Sequence, residues 1–324
     1  MARTAMTWRK TLGAVLLACG AFGSTNNADA ASRYTAIYAF GDSLSDAGNL
    51  WKLLNHQAPV SPPYSNGRFT NGPVWVQDLG DALGLPMRAS LRGGTDYAYG
   101  GAHSGASLAH SLAPIDLPYQ LQAFREEIPN PERTALFTLW MGANDLFDVI
   151  DNTGFTTAQR NQALRQIVAN DARFVNAIGK MGAKHLLLIT IPDLGTTPYY
   201  TTQGAAVARK ATAVTRLFNT LLTARIKSVA EDNGIGLRII DTFALIDRAV
   251  ARPGYFGYTN VTDPCWTGSF TDASSGEVCA KFPAMQNKHL FWDDRHPTAS
   301  GHAIIADKAA NAVGGATAAV VASE

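Results

Sequence analysis

The 324-residue chain predicts an α/β domain with a central parallel sheet and helices on both faces. Three observations carry this expectation. Short apolar runs alternate with helical periods, and the middle runs are apolar at consecutive residues, as in strands covered on both faces. A hydrophobic content of 46% over this length also supplies a sizeable core. Residues 35–40 form the first β-rich run and end at Gly41. Residues 74–83 have a helical period. So do residues 117–128, with Pro118 in the first turn and Pro129 as a stop. Residues 135–141 (ALFTLWM) predict a buried strand, 159–181 a long helix, 186–191 a strand, 205–231 a second long helix, 237–240 a strand, and 302–312 a closing helix. No repeat, Pro/Ser linker or composition break divides the chain, so residues 31–324 read as one domain. Long loops are expected at 55–71, 91–113 and 252–290, where they would surround a crevice at the carboxyl ends of the strands.

Composition narrows the function. With 27 basic and 26 acidic side chains, the chain has no polybasic surface for nucleic acid. Its 14 Phe, 10 Tyr and 6 Trp, with only 16% charged residues, exclude disorder. The first thirty residues read as a leader: Arg3, Arg9 and Lys10 are followed by an apolar stretch at 12–18, and Ala28-Asp29-Ala30 suits cleavage. Secretion or periplasmic export is therefore expected. An alternative reads Leu16-Leu17-Ala18-Cys19 as a lipoprotein box with Cys19 lipidated. Once Cys19 is removed, Cys265 and Cys279 remain as a pair in an oxidising compartment, and a disulfide between them would contribute about 3 kcal/mol. Two free thiols are the alternative. No Cys/His spacing of the zinc-binding kind occurs, so no metal is expected.

The chemistry concentrates just beyond predicted strands. Gly41-Asp42-Ser43-Leu44-Ser45 follows the first strand, where a serine would stand above the sheet beside free N–H groups. Ser43 or Ser45 could equally cap the next helix. A nucleophilic serine needs a base, and His296 stands out in Asp293-Asp294-Arg295-His296-Pro297, with Pro297 suited to open the final helix. Asp293 is placed to orient His296, and Asp294 is its rival. Gly100-Gly101 and Asn144 (in Gly142-Ala143-Asn144-Asp145) could supply hydrogen bonds to a developing oxyanion, although ordinary turns use the same residues.

Taken in order, Phe40 to Asn49, Asn66 to Gly72, Tyr97 to Ala102, Gly142 to Asp145 and Asp293 to His296 resemble the GDSL esterase/lipase family of SGNH hydrolases. The likeness is greatest to secreted bacterial phospholipase, lecithinase and haemolysin-type members. It implies a flavodoxin-like three-layer α/β/α sandwich and no cofactor. By this resemblance Ser43 is the nucleophile, His296 the general base and acid, and Asp293 the orienter. The Ser43 N–H, the Gly101 N–H and the Asn144 side chain would form the oxyanion hole. Asp96 departs from the family, which more often has asparagine there, and this bears on how the Gly100-Gly101 turn is held. A small-molecule or lipid ester is the expected substrate, reached through transient contact with a membrane surface. Trp51, Tyr64, Phe69 and the aromatics of the 252–290 loop are candidates for an acyl-binding wall, with Tyr255, Phe256, Tyr258, Trp266 and Phe270 in that loop. Only a dozen residues follow the last helix, so no C-terminal anchoring barrel is expected.

Other readings find less support. The nearest approach to a G-x-S-x-G elbow, Gly105-Ala106-Ser107-Leu108-Ala109, lacks the final glycine. No H-E-x-x-H or Gly-rich phosphate loop is present. An acyltransferase using an alcohol or sterol as acceptor, or a secreted binding module that kept the fold, would carry the same motifs.

Overall fold

Four five-residue strands form the sheet: β1 (Ile37–Gly41), β2 (Leu136–Trp140), β3 (His185–Ile189) and β4 (Gly236–Ile240). They lie side by side in that order and all run parallel, with Phe40 opposite Leu139 and Leu139 opposite Leu188. The computed structural model describes residues 33–314. The expected leader, its expected cleavage site after Ala30, and Cys19 lie outside the described residues.

The helices are α1 (Asn49–Leu53), α2 (Trp75–Ala82), α3 (Leu117–Glu127), α4 (Ala143–Asp151), α5 (Thr157–Lys180), α6 (Pro198–Thr201), α7 (Ala205–Asp232), α8 (Thr242–Ala251), α9 (Pro283–Gln286) and α10 (Ala299–Val313). α5 packs on α7 and α3, while α2 and α10 pack on each other, so helices flank the sheet as a sandwich. β1 and β2 are buried at every residue, which is why their sequences are apolar almost throughout, with Thr138 the polar exception. β4 is the edge strand, and four of its five residues are exposed or only partly covered.

Beyond β1 the sheet continues irregularly. Tyr97 N–H donates to the Ala39 carbonyl at 2.8 Å, Tyr99 N–H to the Gly41 carbonyl at 3.2 Å, and Ala39 N–H to the Thr95 carbonyl at 3.1 Å. Residues 95–99 thus lie on one side of β1 and β2 on the other, so chain order reverses at β1. In open α/β sheets such a reversal opens a crevice at the strand carboxyl ends. The Gly41 end of β1 is also held by Gln120 of α3, whose amide bonds the Gly41 N–H at 3.1 Å and the Gly41 carbonyl at 2.8 Å.

Two departures from expectation concern helices. α10 begins at Ala299 with Thr298 as its N-cap, so Pro297 precedes the helix instead of opening it. The four-residue α6 and α9 are additional to the predicted elements, and so are α4 and α8. With nine and ten residues, each is too short for its period to stand out from its surroundings.

Candidate active site

Ser43 stands at a tight corner made by its neighbours. The Asp42 side chain accepts the Leu44 N–H at 3.0 Å, and the Asp42 carbonyl accepts the N–H groups of Ser45 and Asp46, both at 3.0 Å. This turn reverses the chain immediately after β1. Neither serine caps α1. Asp46 accepts the N–H groups of Gly48 (2.7 Å), Asn49 (2.5 Å) and Leu50 (3.1 Å) instead. Ser45 Oγ accepts the Trp75 indole N–H at 3.1 Å. Ser43 is left to face His296.

Ser43 Oγ lies 2.8 Å from His296 Nε2, across 253 residues of sequence. On the other side of the ring, His296 Nδ1 lies 2.9 and 2.8 Å from the two carboxylate oxygens of Asp293. Both residues sit on one short loop, closed where Trp292 N–H donates to the His296 carbonyl at 2.8 Å. Asp293 also accepts the N–H groups of Arg295 (2.9 Å) and His296 (2.7 Å) and the Tyr64 hydroxyl (2.7 Å). The rival Asp294 has a side chain 55% exposed, 3.8 Å from the Arg295 guanidinium, and its carboxylate makes no hydrogen bond to His296.

These contacts set the charges. Burial opposes ionisation of Asp293, but the His296 charge and three hydrogen bonds, from the His296 ring and the Arg295 and His296 N–H groups, outweigh it and hold the carboxyl below its ordinary value. Burial likewise opposes the imidazolium. Asp293, first by charge and then by hydrogen bond, still holds His296 above its ordinary value, with Asp294 and Asp42 adding to this. When Nδ1 carries a proton toward Asp293, Nε2 is left to accept the Ser43 hydroxyl proton.

Two backbone donors next to this pair have no protein acceptor among the described residues: the N–H groups of Ser43 and Gly101. The adjacent Gly100 N–H is engaged with Asp46 at 2.8 Å, and a side chain at Gly100 would meet Phe69 at 2.3 Å. Gly101 takes a left-handed φ of 78°, and a side chain there would meet open space. Gly100 is thus required for packing and Gly101 for its backbone conformation. Asn144, at the start of α4, donates one amide N–H to the Ala102 carbonyl at 2.8 Å, which fixes its rotamer beside the glycine turn. Asp96 holds this region from beneath, accepting Ala47 N–H at 2.7 Å and Ala98 N–H at 3.0 Å. It therefore ties the loop after β1 to the edge segment and leaves the Gly100 N–H to Asp46.

Ser43, Gly101, Asn144, Asp293 and His296 line one cavity of about 520 Å³. Leu50, Tyr64, Phe69, Phe147 and Leu194 form apolar wall, and Pro264 and Trp266 to Phe270 of the late loop complete it. Trp51 does not line the cavity: it packs on Gly67 and stacks near His56. Tyr255, Phe256 and Tyr258 are likewise absent from the lining. Cys265 and Cys279 are joined in a disulfide. Cys265 N–H donates to the Phe291 carbonyl (3.1 Å) and Trp266 N–H to the Trp292 carbonyl (2.6 Å), so the stapled loop pairs with the strand-like segment entering Asp293. Tyr64, Phe69, Cys265, Trp266 and Trp292 form a small second core beneath it. Sequence reading missed the supports: the Tyr64 bond to Asp293, the Gln120 clamp and the Asp46 hub. Each joins residues far apart in the chain through an unremarkable side chain.

Among the described residues, one cluster gathers metal-type donors, with ligand atoms of His103, His110 and Asp148 within 4.8 Å of one another. The two imidazole rings are stacked 3.6 Å apart and 7° from parallel. Ring-nitrogen lone pairs lie in the ring planes, so they do not converge on one ion in this arrangement. His103 Nε2 instead meets Asp148 at 3.0 Å, and His110 Nε2 meets Asp116 at 2.9 Å.

The sandwich fold, and the polar groups gathered where β1 and β2 end, are those of an esterase- or lipase-type hydrolase. Over residues 37–309 the chain matches the GDSL-like Lipase/Acylhydrolase family, and it belongs to that family. It is 29% identical over 321 residues to phosphatidylcholine-sterol acyltransferase of Aeromonas hydrophila, covering 87% of this chain and 91% of that protein. It is 27% identical over 283 residues to the thermolabile hemolysin of Vibrio parahaemolyticus, covering 84% of this chain and 62% of the hemolysin. Among solved structures, the acetylxylan esterase Axe2 of Geobacillus stearothermophilus aligns with a TM-score of 0.44 at 15% identity, covering 86% of this chain and 94% of that one. The extracellular lipase of Streptomyces rimosus aligns with a TM-score of 0.40 at 19% identity, covering 83% and 94%.

Proposed function

We propose that the protein hydrolyses carboxylic esters through an acyl-enzyme on Ser43. The observation that carries this reading is the chain from Ser43 Oγ through His296 to Asp293, with contacts of 2.8 Å on both sides of the ring. Ser43 Oγ attacks the ester carbonyl while His296 Nε2 takes its proton, and Asp293 orients the ring and balances the imidazolium. The carbonyl oxygen becomes an oxyanion held by the N–H groups of Ser43 and Gly101 and by the Asn144 amide. His296 then protonates the leaving alkoxide, the C–O bond breaks, and the alcohol departs. Water, activated by the same imidazole, attacks the acyl-enzyme and releases the carboxylic acid. No metal or redox group is needed for the atoms to balance.

The apolar wall around Ser43 suits an acyl chain, and short- to medium-chain esters or lysophospholipids fit the reading. A second reading is favoured by the likeness to the Aeromonas acyltransferase: an alcohol, such as a sterol, replaces water in the second step. The leader sequence and the Cys265–Cys279 disulfide support function outside the cytoplasm, in the periplasm or beyond the cell. Purified protein should release free acid from a lysophospholipid and from a simple aryl ester, and Ser43→Ala should release neither. Added sterol would divert acyl groups into sterol ester if the second reading holds. Undiminished hydrolysis by Ser43→Ala would overturn both.

A further inference from the structure

A second cavity of about 400 Å³ opens between α3, α5 and the loop that precedes α3, and shares no lining residue with the cavity at Ser43. Its floor is apolar, built from Leu117 and Leu121 of α3 and Phe174 and Ala177 of α5, with Leu112 at the lip. Leu112 is 47% exposed, an apolar side chain left facing water. Two cations also line the cavity: Arg125 of α3 and Arg173 of α5. No carboxylate oxygen lies within 4.0 Å of either guanidinium; Arg295–Asp294 is the one arginine pair at that distance among the described residues. Arg173 bonds only the Asn170 side-chain oxygen, and Arg125 bonds no protein group. The acid that feels Arg173, Asp171, is fully buried, and burial holds its carboxyl well above the ordinary range, so it does not cancel the cation.

The other polar side chains of the wall are already engaged. Asn170 Nδ2 donates to Ser104 Oγ and to the Ala106 carbonyl, both at 3.1 Å, and Ser104 Oγ donates to Asp145 at 2.8 Å. A ligand therefore meets an apolar trough and two guanidiniums that have no carboxylate partner. That combination selects an anion with a hydrocarbon tail. The volume lies within the usual range of about 300–1,000 Å³ for small-molecule sites.

We infer that this cavity is a second binding site for a medium-chain fatty-acid anion, its tail on Leu117, Leu121 and Phe174 and its carboxylate held by Arg125 and Arg173. The choice of a carboxylate over other anionic heads rests on the proposed reaction, which releases one at every turnover. The cavity's wall includes Ser104, bonded to the residue next to Asn144, so the product would bind close to the catalytic region without entering it.

Calorimetric titration of the purified protein with decanoate below its micelle concentration tests this. Decanol, decyltrimethylammonium and decyl phosphate serve as comparison ligands. The titration is run on protein as purified and after treatment with a fluorophosphonate that would occupy the catalytic cavity. Decanoate should bind in both states. An Arg125→Gln/Arg173→Gln double variant should weaken decanoate by about tenfold or more while leaving hydrolysis of a short aryl ester unchanged. Leu121→Trp, which fills the trough without touching charge, should also abolish binding. Equal binding of decanol, undiminished binding to the double variant, or loss of binding on fluorophosphonate treatment would overturn the site. Tighter binding of decyl phosphate than of decanoate would reassign it to phosphate-headed lipids and overturn the fatty-acid assignment. Failure of the fluorophosphonate to react would count against the proposed ester hydrolysis alone, because the double variant still reports on the cavity.

Discussion

Asp293 and Asp294 are neighbours of identical chemistry in different surroundings. Asp293 is 5% exposed and accepts hydrogen bonds from two backbone N–H groups, one hydroxyl and the His296 ring, whereas the Asp294 side chain is 55% exposed. The motif was legible in the sequence, but the choice between the two carboxylates was not, because it depends on which way a four-residue loop turns. Asp293→Asn is expected to lower kcat/KM by roughly two to four orders of magnitude, and Asp294→Asn by no more than a few-fold. Steady-state kinetics of the two purified variants decide it, and a larger loss in Asp294→Asn would contradict the assignment. Tyr64 offers a subtler test. Its hydroxyl disperses charge on Asp293, so Tyr64→Phe leaves a more basic carboxylate and a more stable imidazolium. Activity requires neutral His296, already held above its ordinary value, and falls as pH drops through that value. Tyr64→Phe should therefore move the acid limb of the kcat/KM profile to higher pH. A limb that stays put or moves down would show that Tyr64 does not act through Asp293.

At the scale of elements, strand positions were readable because β1 and β2 are buried on both faces and so are apolar at nearly every residue, Thr138 excepted. α4 and α8 were not, being short, and the edge segment 95–99 was not, because it joins β1 through one isolated bridge, Ala39 with Asp96, instead of a regular ladder. The late loop was expected to be an ordered wall, and Pro264 and Trp266 to Phe270 do line the cavity. The disulfide and the main-chain bonds to Phe291 and Trp292 explain how this loop is held against the segment carrying Asp293 and His296. A Cys265→Ser/Cys279→Ser variant that keeps its circular dichroism at 25 °C should still differ in acyl preference. The ratio of kcat/KM for medium- to short-chain esters is expected to change by roughly threefold to tenfold, or about 0.7–1.4 kcal/mol of transition-state binding. Unchanged ratios across a chain-length series would reduce the disulfide to a plain staple.

Across the whole molecule, stability and activity should respond to pH in opposite directions. Burial pushes Asp42 and Asp46 up to about 6, and Asp96 and Asp171 well above the ordinary carboxylate range. A carboxyl raised in this way contributes fully below its unfolded value of about 4, and the contribution is lost as pH rises through the folded value. His103 and His296, both raised in the fold, act in the same direction from their unfolded value of about 6.5 upward. His302 opposes them. Burial depresses it to about 3, so its contribution is present above about 6.5 and lost as pH falls toward 3. The raised groups outnumber it, so Tm should be higher at pH 5.5 than at pH 8, while kcat/KM should be lower. A Tm that rises steadily from pH 5.5 to 8 would contradict this account of the buried carboxyls. The central claim, however, is that one serine among many is the nucleophile. The direct test is intact-mass and peptide mapping of the protein after reaction with a fluorophosphonate. We expect one adduct, carried by the peptide containing Ser43, and none in Ser43→Ala or in His296→Ala on the same timescale. An unlabelled native protein, or an adduct on any other serine, would contradict it.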